Sequence, residues 1–292
     1  MSSRRDERIA PTGHYTAYVW KRKGYPFAEL FATKEGAVLF HAYRALVESI
    51  SPRPANVPRL EDMLEYRHLL LDRAADLLRP TLIVELGAGL SRRGVTFASR
   101  GVPYLEIDLP GMVAAKGRRI EAAPPGVRSL LESSYRLVAH DLLAPDFPAF
   151  LTDALRGQER AVVIAEGVLG YFPVPERRLL ASTVARALGA AEEGHFLFDL
   201  RDQAHAKAAA STVRTLKWAS SLVTRGRGLR EDFEDSDAIR AFLREAGFDA
   251  MDTVEPAPPH LRRFAMPNRV WRAHAVRRTP GSPAEEEPSA PS

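Results

Sequence analysis

The chain contains no cysteine among its 292 residues. Disulfides, thiol nucleophiles and Cys-ligated metals are therefore excluded, and no metal site is predicted. No apolar run approaches the roughly 20 residues needed to span a bilayer. The N-terminal Met1-Ser-Ser-Arg-Arg-Asp-Glu-Arg8 lacks the apolar core of a signal peptide. The expectation is a cytoplasmic protein with no membrane partner. Excess charge of either sign is scarce as well. A formal net charge of +4 gives no reason to expect a nucleic-acid partner. That small excess is uneven: residues 1–34 hold Arg4, Arg5, Arg8, Lys21, Arg22, Lys23 and Lys34 against Asp6, Glu7 and Glu29. Such a basic segment either is a solvated arm or draws in an anionic ligand. No internal repeat is visible.

With 45% apolar and 27% charged residues, the chain suits one large globular domain or a domain carrying a cap. Residues 14–50 repeat apolar and aromatic side chains at helical spacing ahead of the first strand, so they predict a helical cap. Residues 51–58, rich in proline, form a joint. A helix is expected over 60–78. Strands are expected at 81–86, 103–108, 135–139, 160–165 and 195–199, with helices near 93–100, 112–121, 146–156 and 175–190 between them. Near-continuous apolar strands alternating with helices predict an α/β fold with a doubly wound parallel sheet. Further helices are expected at 203–223 and 236–246, then strands at 248–254 and 269–276 as a C-terminal antiparallel hairpin. The division expected is 1–58 as N-terminal arm and helical cap, with residues 1–12 mobile; 59–278 as the cofactor-binding domain; and 279–292 as a disordered tail.

The densest information lies in Thr81-Leu-Ile-Val-Glu-Leu-Gly-Ala-Gly-Leu-Ser-Arg-Arg-Gly94. A β-branched strand ends at Glu85, and Gly87 and Gly89 follow in a turn that opens a helix. Glycines there let a ligand approach the backbone, and the helix start favours polar or anionic groups. Asp108, ending the second strand 19 positions after Gly89, stands where nucleotide-binding α/β folds hold ribose hydroxyls. Ligands in such sheets bind at the carboxyl ends of the strands. Those ends offer Glu85, Asp108, His140-Asp141-Leu142, Glu166 and Asp199.

Gly94 falls five positions after Gly89 rather than three, and an acidic rim repels a pyrophosphate. Both features count against a dinucleotide, although an NAD-dependent oxidoreductase stays as an alternative. An acidic rim suits a cationic cofactor, S-adenosyl-L-methionine, with Asp108 for the ribose, Asp141 and the Leu142 N–H for adenine, and Glu166 or Glu85 for the methionine end. Glu85 orienting the backbone of the glycine turn is an equal alternative. No catalytic group is assigned; His140 and Tyr171 are the candidates, and Tyr171 and Phe172 belong either to the core or to the substrate wall.

Three segments resemble the leucine carboxyl methyltransferase family: Glu85-Leu-Gly-Ala-Gly-Leu-Ser-Arg-Arg93, Tyr104-Leu-Glu-Ile-Asp-Leu-Pro110 and Ala165-Glu-Gly-Val-Leu-Gly-Tyr171. The resemblance runs over about residues 14–275. It implies a Rossmann-like methyltransferase sheet with a helical N-terminal cap and S-adenosylmethionine-dependent O-methylation. It implies Gly87 lining the cofactor, Asp108 on the ribose, Asp141 and Leu142 on adenine, and Glu166 beside the methionine moiety. It also implies Arg67, on the helix before the first strand, near the methionine carboxylate. The family's basic contact from the first cap helix falls by spacing on His14. Its Gly-Leu-Asp-Thr-Arg becomes Gly89-Leu-Ser-Arg-Arg93, a change at the helix start that bears on the cap contact. Thr16-Ala-Tyr-Val-Trp20 is similar to the bacterial branch associated with polyketide methylation.

The partner expected is therefore a small-molecule acceptor, acidic if the basic Lys21, Arg22 and Lys23 help hold it. A carboxylate acceptor is favoured, because it needs no base near pH 7 whereas a phenol would benefit from one. Acceptor specificity is expected to lie in the cap, the segment after Tyr171 and the helix at 203–223, where Arg214, Lys217 and Trp218 face either solvent or substrate. A non-catalytic cofactor-binding protein and a protein C-terminal carboxyl methyltransferase are the remaining alternatives. Oligomeric state is not specified by the sequence.

Overall fold

The computed structural model describes residues 3–45, 56–204 and 233–276. Among these, the strands form one seven-stranded sheet in the order β3-β2-β1-β4-β5-β7-β6. They are β1 (Leu82–Leu86), β2 (Tyr104–Asp108), β3 (Tyr135–Ala139), β4 (Arg160–Ala165), β5 (Glu193–Arg201), β6 (Ala250–Thr253) and β7 (Asn268–Val276). Strands β1 to β5 pair in parallel. β7 runs antiparallel to β5 and β6, so the sheet closes on the expected hairpin. The order of strand addition reverses between β1 and β4, which run parallel, and this opens a crevice at their carboxyl ends.

Ile83, Val84 and Leu86 of β1 and Val162, Val163 and Ile164 of β4 are fully buried, as central strands covered on both faces must be. β3, at the sheet edge, is only partly covered. One face packs on helices α8 (Phe147–Leu155), α9 (Val174–Leu188) and α10 (Ser236–Ala246). The other packs on α4 (Leu60–Leu78) and α5 (Arg93–Ala98). Local chemistry sets several boundaries. Pro110 occupies the first turn of α6 (Pro110–Glu121), where its missing N–H costs nothing. The Asp235 side chain accepts from the Ala238 N–H at the start of α10, and Gly247 at φ 102° ends that helix. A short helix, α7 (Pro125–Leu131), lies in a segment where none is predicted.

Ahead of the sheet, α1 (Ser3–Arg22), α2 (Ala28–Phe31) and α3 (Lys34–Tyr43) form a helical layer. Its own core contains Tyr15, Val19, Trp20, Ala28 and Phe40 against Leu64 of α4. Residues 3–12, expected as a mobile arm, instead continue α1, with Pro11 inside the helix. Most of the 203–223 helix, the Pro-rich residues 51–55 and the tail from 279 lie outside the described residues, as do Arg214, Lys217 and Trp218.

Candidate cofactor and active site

A cavity of about 240 Å³ lies over the carboxyl ends of β1, β2, β3 and β4. Its floor is the turn after β1, where Gly87 and Gly89 take φ of 62° and 54°, conformations that any Cβ would strain. The Gly87 N–H donates to the Ile107 carbonyl at 2.8 Å. The Gly89 N–H donates to Asp108 Oδ2 at 2.6 Å, and the Leu109 N–H to Asp108 Oδ1 at 2.7 Å. Asp108 is thus oriented by two backbone donors at the tip of β2. A Cβ at Gly89 would meet no protein atom within 4 Å, so the cavity opens directly above it. Beyond β3, Asp141 Oδ1 accepts the Leu143 N–H at 3.0 Å in a local turn that places Asp141 and Leu142 on the wall. Thr12, Gly13, Thr16 and Trp20 of α1 form the roof. Tyr171, Phe172 and Pro173, which follow β4, form the far wall.

Apart from His14, every residue singled out in the sequence as a cofactor contact borders this cavity: Arg67, Glu85, Gly87, Gly89, Asp108, Asp141, Leu142 and Glu166. His140 and Tyr171 border it as well. His140 packs against Phe147 and Phe150 at ring-centroid distances of 5.4 and 4.9 Å, and its Nδ1 lies 3.1 Å from the Asp141 carbonyl. His14 does not line the cavity; its Nδ1 lies 3.0 Å from Thr33 Oγ1, and burial lowers its pKa, with Arg119 adding to the effect.

One premise from the sequence needs correction. The strand-end acids do not form an uncompensated negative ring. Both Glu85 oxygens are taken, by Arg93 Nη1 at 2.5 Å and the Tyr104 hydroxyl at 2.7 Å. Glu166 Oε1 accepts from Arg67 Nε at 3.1 Å; Oε2 accepts from Arg93 Nη2 at 2.6 Å and lies 2.8 Å from His68 Nδ1. Its carboxyl is held well below the usual range because the favourable field of His68, Arg93 and Arg67 outweighs the desolvation that would raise it. Asp199, set back from the cavity, binds the Gly167 N–H at 2.5 Å and Asn268 Nδ2 at 3.1 Å. Cations interleave with the acids because a buried carboxylate without a partner is too costly to keep.

The basic cap residues are also engaged elsewhere. Lys23 binds Glu65 at 2.7 Å, Lys21 approaches Glu29 at 3.9 Å, and Arg22 stacks over Phe40. None of the three lines the cavity. Sequence reasoning did not find Arg93 or Arg177 as buried organisers. Arg177 Nε and Nη2 donate to the Leu169 and Phe172 carbonyls at 3.0 and 3.2 Å, fixing the far wall. Polar neighbours conceal such residues in a linear reading, Ser91 and Arg92 before Arg93 and Glu176 and Arg178 beside Arg177, since a buried arginine there looks like a surface one. The Ser91-Arg92 departure does reach the cap: Arg92 Nη2 binds Asp72 at 2.6 Å while its guanidinium lies over the Tyr25 ring.

A sheet of this strand order with a reversed seventh strand and a site at the β1/β4 switch point defines a Rossmann-like methyltransferase fold. The chain belongs to the leucine carboxyl methyltransferase family, whose family model matches residues 25–185, more than half of the chain. That match spans the glycine turn, Asp108, Asp141 and Glu166, and leaves the roof helix α1 outside it. No curated protein matches the chain by sequence. Among solved structures, a protein of Bordetella parapertussis described as a possible exported protein superposes with a TM-score of 0.52 at 16% identity, over 94% of this chain and 97% of that one. The S-adenosylmethionine-dependent methyltransferase SibL, solved in its apo form, gives 0.50 at 18% identity, over 82% and 69%. The magnesium protoporphyrin IX methyltransferase of Synechocystis PCC 6803, solved with bound SAH, gives 0.48 at 13% identity, over 83% and 95%. At such identities the likeness is one of fold. Among the described residues, no helix is long and apolar enough to cross a membrane.

Proposed function

We propose that the cavity binds S-adenosylmethionine and that the protein transfers its methyl group to an oxygen of a small-molecule acceptor, with a carboxylate as the favoured nucleophile. The observation that carries this reading is the composition of the cavity wall. Five carboxylates border it, Glu85, Asp108, Asp141, Glu166 and Glu176, with Arg67 the one guanidinium facing it among the described residues, and Arg93 behind the wall holds Glu85 and Glu166 in place as acceptors. A pyrophosphate finds no pair of cations there. A ligand with hydroxyls, an amine and one carboxylate finds matching partners.

Asp108, already oriented by two N–H groups, takes the ribose hydroxyls. Asp141 and the Leu142 N–H take adenine. Glu166 takes the amino group and Arg67 the carboxylate of the methionine end. Bound there, the cofactor supplies a methyl group activated on a cationic sulfur. α1 covers the site with Thr12, Gly13, Thr16 and Trp20, which excludes water, and the wall of Tyr171, Phe172 and Pro173 orients the acceptor. The acceptor oxygen forms the new O–C bond as the S–C bond breaks, and that electron pair stays on sulfur. Alignment and exclusion of water, rather than proton transfer, are the main requirements. A carboxylate arrives already ionised, consistent with His140 Nδ1 being turned to the Asp141 carbonyl. A phenolic acceptor is the second reading, supported by His140 bordering the same cavity.

Calorimetric titration with S-adenosylmethionine, and separately with NAD, tests the first step. Asp108→Ala is expected to weaken S-adenosylmethionine binding by about 1–3 kcal/mol, the usual cost of unpairing a buried polar group. Undiminished affinity would remove Asp108 from the site. Transfer of labelled methyl to matched aromatic acids and phenols tests the second step; transfer to phenols alone would reject the carboxylate.

A further inference from the structure

Arg93 opens α5 and is completely buried. It does not border the cavity, yet its guanidinium joins three separate elements. Nε donates to Asp72 Oδ1 on α4 at 2.5 Å, Nη1 to Glu85 at the end of β1, and Nη2 to Glu166 at the end of β4. Glu166 in turn holds Arg67 through its other oxygen. Trp20 of the roof stacks on His68 at 4.2 Å, and His68 Nδ1 contacts the same Glu166 oxygen as Arg93.

We infer that Arg93 is a positioning residue that fixes the Glu166 carboxylate, and Arg67 through it, to recognise the amino-acid end of the methyl donor. This rests on the S-adenosylmethionine reading above. Three carboxylates converge on one guanidinium, and its planar fork sets their relative directions. Without it Glu85, Glu166 and Asp72 would repel one another, and Glu166 would turn from the direction that presents it to the cavity. A lysine supplies the charge without the fork. The ribose and adenine contacts of Asp108 and Asp141 lie outside this network, so disturbing it should leave the nucleoside end of the site intact.

Two ligands separate the ends. S-adenosylhomocysteine carries the amino-acid end, whereas 5′-methylthioadenosine has the same adenosine and thioether without it. Calorimetry on the full chain compares wild type, Arg93→Lys and Asp72→Asn. The Asp72 side chain is 19% exposed and does not border the cavity, so Asp72→Asn decides the matter if Arg93→Lys fails to fold. Arg93→Lys is expected to bind S-adenosylhomocysteine about tenfold to a hundredfold more weakly, the loss of one or two charge-assisted hydrogen bonds. Its affinity for 5′-methylthioadenosine should stay within about twofold of wild type on the same arithmetic. Asp72→Asn should show the same pattern with a smaller loss. Equal losses for both ligands, or no loss for either, would overturn the inference. A wild type that binds the two ligands equally well would also overturn it while leaving the cofactor reading in place. A wild type that binds neither would overturn both.

Discussion

Gly89 and Gly101 allow the cofactor site to be separated from backbone strain. Both have positive φ, 54° and 80°, and a Cβ at either would meet no protein atom within 4 Å. Gly89 lies in the cavity floor, while Gly101 lies in the turn leading into β2, at the amino ends of the parallel strands and away from the cavity. Alanine at either position costs about 1–2 kcal/mol of left-handed strain. With about 2–4 °C lost per kcal/mol in a domain of this size, each variant should melt a few degrees lower. Only Gly89→Ala adds a methyl group inside the cavity, directly above the N–H that holds Asp108. A ligand lifted off that floor loses its polar contacts to Asp108, worth about 1–3 kcal/mol, or roughly a tenfold to hundredfold weaker affinity. Thermal unfolding and calorimetry with S-adenosylhomocysteine measure the two effects on the same samples. Matched melting losses with an affinity loss in Gly89→Ala alone are expected. Wild-type affinity in Gly89→Ala, or an equal affinity loss in Gly101→Ala, would refute a cofactor seated on this turn.

Gly94 should prove structural: an added Cβ would collide with the Glu106 carboxylate and approach the Tyr135 ring to 2.8 Å, so Gly94→Ala should lose about 1–3 kcal/mol to overpacking in chemical denaturation. The Glu166 pairs should make stability depend on acid. Its folded pKa lies well below the unfolded value of 4.5, so their contribution is complete above about pH 4.5 and disappears as pH falls through the folded pKa. Glu166→Gln should therefore be less stable than wild type near pH 7, with the gap in melting temperature narrowing below about pH 4.5. A constant gap from pH 7 to pH 3 would show that the ionised form of Glu166 is not what its partners stabilise.

The sheet is legible in the sequence because its strands are buried on both faces. Leu82–Leu86 and Arg160–Ala165 read as apolar runs bounded by turn residues, and the structure departs from the expected spans by only a residue or two. The cavity residues are legible for a related reason: polar groups at the ends of apolar strands have few other uses, and the topology gathers the carboxyl ends of β1 to β4 in one place. What eludes a linear reading is the pairing of those groups. Acids show plainly at the ends of β1 and β4, whereas their partners come from α4 and α5, where Arg67, His68 and Arg93 look like ordinary polar residues of amphipathic helices. The structural role of Gly94 is hidden for the same reason. As a phosphate-binding glycine it is out of register, but in the fold it lets α5 approach the buried Glu106, which pairs with Lys116.

Compensation of the acids changes the physical basis of recognition. A bare ring of carboxylates would attract any cation without selecting among them, and would be costly to bury. In the folded chain the net field at Glu85 and Glu166 is largely cancelled, so long-range attraction to a positive sulfur is a weak basis for selectivity. Direction remains: Glu166 has its two oxygens fixed by donors from two different helices, Arg67 of α4 and Arg93 of α5, and Asp108 is fixed by two N–H groups. Fixed acceptors discriminate by geometry, at little reorganisation cost on binding. Recognition on this basis should weaken only modestly with added salt, since buried groups are poorly screened. Affinity for S-adenosylmethionine measured between about 0.05 and 0.5 M salt distinguishes the two pictures: a change of less than about threefold supports fixed acceptors, and a steep decline would restore the negative field as the main attraction.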